Sequence, residues 1–580
     1  MHRILVSALI LIAVATGAEA TETDVSEYRA APELTAQSAE NLFLLGKVWG
    51  YLKYHHPRVT AGCFDWDKEL LEVVEDVAAA ENRDAASNVL AGWMRGLDNP
   101  RRECDIEEPA DVHFSIDKSW INDEGLLGAV VVSELAAMGT MSGNSGAQHY
   151  VSLAPGVGNP QFQSENPYAD LEQPDWRYRL LALYRFWNII EYWFPYSDLI
   201  TADWDAVLKD SIPRFVSAED DDQYVLELMV LIAQVEDAHS GLWSAYDRIP
   251  PAGTHTVPVQ IRSIEERPVI WREAEDSEGG LAHGDVILAV DDVPVGELVE
   301  VRTRYYGASN RATLLRDIYR LLLRGPEGSL SVRVERDGRE LELILERTPV
   351  DYGIPRTNDR DGDTLQMLSD DVVYLKLSSV SQENVSEYVD AIAGRRGLII
   401  DIRNYPSAFM VFALGQHFVQ ETTPFAKFTY GDLESPGTFQ WTDPVELTPA
   451  EPFFDGRIVV LIDEASQSNS EYTAMAFRAA PEAIVIGSQT AGADGNISAI
   501  PLPGGHRTVI SGIGVFYPDG TPTQQIGIVP DIVAAPTIDG VRAGRDEVLE
   551  RAVLEILGDD VSEDELLEMT RLPHAPTTSQ

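Results

Sequence analysis

The chain has 580 residues, 94 acidic and 44 basic, for a formal charge of −50 with 44% hydrophobic residues. That length exceeds a single core and sets an expectation of three or four domains of ordinary soluble composition. A polyanion of this kind repels nucleic acid and anionic membrane, which excludes both as main partners.

The first twenty residues read as an export signal. A short basic start, "MHR", precedes the apolar run "ILVSALILIAVA", and "AEA" before Thr21 forms a small-x-small cleavage site. The run is too short to span a bilayer, and no cysteine follows the signal until Cys63. The expectation is a periplasmic or secreted protein with a signal peptide over 1–20 and no membrane span after its removal. Such a compartment permits a Cys63–Cys104 disulfide; two buried thiols are the alternative.

Two segments of the N-terminal half then match without a gap, "LFLLGKVWGYLKYHHPRVTAGCFDWDKELL" from Leu42 and "LLALYRFWNIIEYWFPYSDLITADWDAVLK" from Leu180. The offset of 138 positions pairs Trp49 with Trp187, Tyr54 with Tyr192, Pro57 with Pro195 and Trp66 with Trp204. So regular a repeat implies two copies of one helical unit, with the aromatics as core. The same offset sets "GLDNPRRE" from Gly96 against "QVEDAHSG" from Gln234, so Arg101 stands opposite His239. A helix-end histidine is commonly a cap or a satisfied core residue. Its absence from the sister copy favours a specific role.

From about Thr254 the texture changes to short strands: "TVPVQI", "RPVIWRE", "DVILAV", "SLSVRVER" and "ELELILER". Within them "LAHGDVILAVDDVPV", around Gly284 and Asp285, resembles the Gly-Asp turn and strand of a PDZ domain. That resemblance implies capture of a peptide C-terminus as an added strand; a small β domain without a groove is the alternative. From about Asp371 strands and helices alternate. "VVYLKLSS", "GLIIDI", "RIVVLI" and "AIVIG" read as strands, and "ENVSEYVDAIAGR" and "SEYTAMAFRAA" as helices. Continuous apolar runs joined by amphipathic helices predict a largely parallel sheet, with functional groups at the carboxyl ends of its strands. Two loops arise there, "RNYPSAF" after Asp401 and "DEASQSNSE" after Ile462.

The second loop holds Ser466, Ser468 and Ser470. "SNSE", Ser468 to Glu471, fits a capping box, and a serine at a strand-to-helix turn is also exposed beside N–H groups suited to an oxyanion. The local pattern leaves both roles open. The order of an exported helical region, a PDZ-like domain, "GLIIDIRN", "SQSNSE", "VIGSQTAGADG" and "YPDG...QQIGIVPDI" resembles the C-terminal processing, or tail-specific, serine proteases and their relatives around the tricorn protease core. The resemblance covers roughly 175–555 and implies a crotonase-like ββα core with Ser468, the middle serine, as nucleophile.

The resemblance also says what is missing. One branch of the family uses a lysine 25 positions after the serine; here that position is Ala493, and no lysine follows Lys427. The tricorn-like branch uses a histidine ahead of the PDZ position, which maps the base onto His239 in "EDAHSG"; His417 and His506 are the competitors. Imidazole suits the task because it titrates near neutrality. The tricorn-like orienting glutamate falls on Gln524, so Glu236, Asp237, Glu471 and Asp494 are the remaining acids, Glu471 and Asp237 first among them. The glycine pair of the family's oxyanion loop is replaced by "RNYPSA". Ser407, or its neighbour, and Asn469 would then supply the backbone donors.

The expectation is therefore a multidomain α+β chain. Its parts are a signal peptide over 1–20, helical modules over 21–160 and 161–250, a PDZ-like domain over 251–350, a catalytic core over 351–545, and a C-terminal helix and tail over 546–580. The expected function is serine-type endopeptidase, with catalytic Ser468, His239, Glu471 and Asp237 and a peptide or protein substrate held through its C-terminus. No cofactor or metal is expected, since His55-His56 lacks ligand spacing and no His-Glu-x-x-His occurs. The alternative is a non-catalytic peptide-binding protein on the same scaffold.

Overall fold

The computed structural model describes residues 28–97, 111–138, 148–272, 280–350 and 360–572. Residues 1–20, read above as an export signal, and Arg101 and Cys104 lie outside the described residues; Cys63 is exposed.

The segments that match at an offset of 138 fold alike. In the first, helices α1 (Ala36–His55), α2 (Trp66–Ala79) and α3 (Arg83–Gly96) follow one another. In the second, α4 (Trp176–Trp193), α5 (Trp204–Ser217) and α6 (Asp221–Ala233) do the same. Asp65 and Asp203 cap α2 and α5 from the same position, each accepting a backbone N–H three residues on. The indole N–H groups of Trp49 and Trp66 each donate to the other's carbonyl at 3.1 Å, and Trp187 and Trp204 repeat the exchange at 2.7 and 3.2 Å. A buried indole needs such an acceptor, which explains why the tryptophans recur in pairs. Between the copies lies a buried ionic cluster. Lys53 meets Glu165 at 2.6 Å, and Arg185 meets Glu165 at 2.8 Å and Asp67 at 2.6 Å.

A six-stranded antiparallel sheet comes next, five main strands with the short Val293–Pro294 paired to Ala289 and Val290. Its main strands are β1 (Gln260–Ile264), β2 (Arg267–Arg272), β3 (Val286–Val290), β4 (Ser329–Arg336) and β5 (Arg339–Glu346), in the order β5-β4-β3-β2-β1. Helices α7 (Val295–Thr303) and α8 (Arg311–Arg320) belong to the same unit. The first strand begins later than "TVPVQI" suggested, because Pro258 has no N–H to offer a ladder.

The C-terminal sheet has the order β6-β7-β8-β10-β11-β15, with β6 (Leu365–Met367), β7 (Val372–Lys376), β8 (Gly397–Asp401), β10 (Arg457–Ile462), β11 (Ala483–Gly487) and β15 (Ile532–Val533). All its pairings are parallel except that of β6 with β7. Alternate residues serve two cores. Val373, Leu398, Val460 and Val485 pack with helix α9 (Asn469–Arg478). Tyr374, Ile399, Val459 and Ile486 pack with α10 (Glu547–Leu557). Burial on both faces is why these strands read as unbroken apolar runs. Off this sheet, β9 (Thr423–Gly431) pairs with β14 (Gly514–Phe516). The hairpin of β12 (Ile497–Leu502) and β13 (His506–Ser511) sends Ile500, Leu502 and Ile510 into the helical core, where Arg185 also donates to Pro501 O at 2.8 Å. That docking brings Ser511 to the loop after α6.

Candidate active site

Ser468 sits between β10 and α9 with φ 57 and ψ −120, a conformation that L-residues avoid and that strains the turn by about 1–3 kcal/mol. The turn is clamped. Ser468 N–H donates to Ala493 O at 2.9 Å and to Glu471 Oε2 at 3.1 Å. Glu471 is fully buried; its Oε2 also accepts from Ala493 N at 3.1 Å, and its Oε1 from Thr490 Oγ1 at 2.5 Å and Gly492 N at 2.8 Å. Four donors on one carboxylate mark Glu471 as the clamp of the turn. Burial raises its carboxyl above the usual range, and those donors offset only part of that. The adjacent buried Asp494 accepts only from Gly495 N, and its Oδ2 has no partner among the described residues. Burial, then the charge of Glu471, pushes Asp494 well above the usual carboxylate range, so Glu471 carries the charge and Asp494 the proton.

His239 follows α6 and is buried. Its Nδ1 lies 2.9 Å from Ser511 Oγ. Ser511 Oγ in turn donates to Asp237 Oδ1 at 3.0 Å, and Ser511 N donates to Asp237 Oδ2 at 2.7 Å. Asp237 Oδ1 also accepts from His239 N at 3.0 Å, and lies 3.7 Å from Nδ1. Because the hydroxyl's hydrogen goes to the carboxylate, its oxygen accepts from Nδ1–H, and Nε2 is left as the basic nitrogen. Burial lowers the His239 pKa, against the upward pull of Asp237. Ser511, buried at the end of β13, is a partner that sequence reasoning missed; no spacing rule ties it to a histidine 272 positions away.

The two halves are joined by Gln467, whose Nε2 donates to Ala238 O at 3.1 Å. No hydrogen bond between Ser468 and His239 occurs among the described residues. The competing histidines are engaged elsewhere: His417 Nδ1 with Pro452 O at 2.9 Å, His506 Nδ1 with Ser244 Oγ at 3.3 Å. Asn469 is the first residue of α9, where the N–H points off the helix end. Ser407 requires a correction as an oxyanion donor, because its N–H donates to Leu377 O at 2.9 Å and its hydroxyl to Val380 O at 2.7 Å. Gln524 is buried with both amide atoms unpartnered among the described residues. From the six-stranded unit, Arg262 reaches Asp463 and Glu464 at 2.8 Å each, and Arg316 donates to Glu464 O at 2.8 Å, which fixes the approach to the serine loop. No cluster fit to hold a metal ion, and no helix long and apolar enough to cross a membrane, occurs among the described residues.

Residues 371–534 match peptidase family S41. The chain is 22% identical over 257 residues to carboxy-terminal processing protease CtpB of Bacillus subtilis (strain 168), a match covering 43% of this chain and 51% of that protein. It is 25% identical over 244 residues to a carboxy-terminal-processing protease of Bartonella bacilliformis, covering 39% and 52%. The chain thus spans about half the length of these curated relatives. In fold it is similar to mature CPAF, with a TM-score of 0.52 and 14% identity over 67% of this chain and 99% of that one. The residues that match peptidase family S41 hold the serine turn, its clamp and Ser511.

Proposed function

We propose that this chain is an exported serine peptidase of the C-terminal processing type. Ser468 attacks the peptide carbonyl, His239 Nε2 takes its proton, and Asn469 N–H holds the oxyanion. Collapse of the tetrahedral adduct breaks the C–N bond as His239 returns the proton to the leaving amine; water then repeats the sequence on the acyl-enzyme. Asp237, through Ser511, holds the imidazole in its basic tautomer and stabilises the imidazolium. Glu471 keeps the strained turn in place, a structural share of the work in place of the orienting role first considered for it. The six-stranded unit acts as a PDZ-like domain that presents the substrate's C-terminus by strand addition.

The observation that carries this reading is the Asp237–Ser511–His239 chain, hydrogen-bonded through Gln467 to a strained serine at a helix N-terminus. The test is hydrolysis of an unfolded protein and of synthetic peptides by the chain and by Ser468→Ala. Turnover lost in the variant supports the reading; equal turnover ends it. A second reading, peptide binding without cleavage, draws on the missing Ser468–His239 hydrogen bond. It predicts peptide binding with no turnover by either protein.

A further inference from the structure

Each half of the site is ordered from within. Asp237 and Ser511 hold the His239 ring, and the loop 490–493 holds Glu471, which clamps the Ser468 turn. The halves must also be set against each other. Gln467 gives one link, to Ala238 O, and Gln525 gives another, its Nε2 donating to Glu236 Oε2 at 3.2 Å. A third link comes from the six-stranded unit, through the turn between α7 and α8.

Two adjacent side chains of that turn face opposite halves. Ser309 is buried, and its Oγ accepts from Ala238 N at 2.8 Å. The residue before His239 is therefore held through its N–H by Ser309 and through its carbonyl by Gln467. Asn310 caps α8, its Oδ1 accepting from Thr313 N at 3.0 Å. Its Nδ2 shares two hydrogens among Thr490 O at 2.9 Å, Ala491 O at 3.1 Å and Gln525 O at 3.3 Å. Thr490 is itself a donor to Glu471 through Oγ1. Packing closes the same gap. A Cβ at Gly307 would stand 2.4 Å from Ser240 Oγ and 2.7 Å from Ser240 O, so glycine is what lets this turn approach the histidine loop so closely.

We propose, resting on the reading of Ser468 as nucleophile and His239 as base, that Ser309 and Asn310 are positioning residues. Together they form one span, with Ser309 tied to the histidine loop and Asn310 to the clamp loop, which sets His239 Nε2 against Ser468 Oγ. Neither takes part in a proton transfer; each acts through the backbone it holds. Two such bonds are enough, because proton transfer needs the two atoms within hydrogen-bond reach, and a misplacement of about 1 Å costs about 10²-fold in rate. The two ends act in series, since the span restrains the halves only while both are tied.

The test is Ser309→Ala, Asn310→Ser and the double variant, each in the full chain. Serine at 310 keeps a helix cap of equal rank but is too short to reach the clamp loop as well. The readouts are kcat and KM on a fluorogenic peptide, fluorophosphonate labelling of Ser468, and urea unfolding. The result expected is a fall in kcat per folded molecule of about 10–100-fold in each single variant, with KM within about threefold. The double variant should lose no more than about threefold beyond the less active single variant, because either cut already releases the span. Gly307→Ala keeps both side chains and wedges the loops apart; it should lower kcat in the same way, and it decides the matter if the other variants do not fold. A kcat per folded molecule within about threefold of the parent, even with a lower urea midpoint, overturns the span, as do losses that multiply in the double variant. If the parent protein is not labelled at Ser468, the nucleophile reading fails and the span falls with it. If the parent is labelled and the variants turn over normally, only the span is wrong.

Discussion

Asp237→Asn tests the proton path. Asp237 Oδ1 stands 3.7 Å from His239 Nδ1, and both groups are buried, so salt screens their attraction little. At an effective dielectric constant of about 20, a unit charge at that distance stabilises the imidazolium by about 4.5 kcal/mol, a ceiling of about 10³-fold in rate. The amide keeps part of the network but must turn its NH2 toward one of two fixed backbone donors, His239 N or Ser511 N, which costs about 1–3 kcal/mol of stability. The assay is kcat/KM on a fluorogenic peptide against pH, beside urea unfolding to show that the variant is folded. A 10²–10³-fold loss is expected. The pH profile carries the sign. Burial lowers the His239 pKa and Asp237 raises it, so removing the charge lowers it further and moves the acid limb of kcat/KM to lower pH. A loss under about threefold, or a limb that moves to higher pH, would refute the relay.

Glu471→Ala leaves Ser468 N, Gly492 N, Ala493 N and Thr490 Oγ1 without their acceptor. It should lower stability by roughly 3–6 kcal/mol in urea titration, with serine labelling lost as the turn relaxes. Asp494→Asn should stabilise the protein above about pH 5. The folded pKa of Asp494 is raised, so the folded state holds a proton that the unfolded chain releases near pH 3.9, and stability falls as pH rises. The gain should vanish near pH 3, and a gain that grows on acidification would contradict the assignment of the proton. Glu165→Gln breaks contacts with Lys53 and Arg185 inside the helical pair and should cost about 3–5 kcal/mol; an unchanged urea midpoint would count against it. Gly487→Ala places a Cβ 1.8 Å from Ile462 O at φ 145 and should prevent folding or lower the urea midpoint sharply.

Much of the architecture was legible because its signals are local. "RIVVLI", "SLSVRVER" and "AIVIG" are strands with the bounds their apolar runs suggest, and the tryptophan offset shows up as paired indole exchanges. The strand-to-helix turn at Ser468 was legible from the apolar run and the capping pattern, and the family pattern made that serine the proposed nucleophile. Its partners were less so, because they depend on where tertiary packing puts them. Ser511 meets His239 only because the β12–β13 hairpin docks on the helices. Glu471 looked like half a capping box, and its other bonds, to Thr490, Gly492 and Ala493, come from a loop 19 to 22 positions on. Ser407 looked like a donor by position, yet the loop turns its N–H toward Leu377.

The most direct test of the central claim is peptide mapping by mass spectrometry after fluorophosphonate treatment. The account predicts a single phosphonylated residue, Ser468, and no adduct in Ser468→Ala. An adduct on Ser466 or Ser470, or one that persists in the variant, would contradict it.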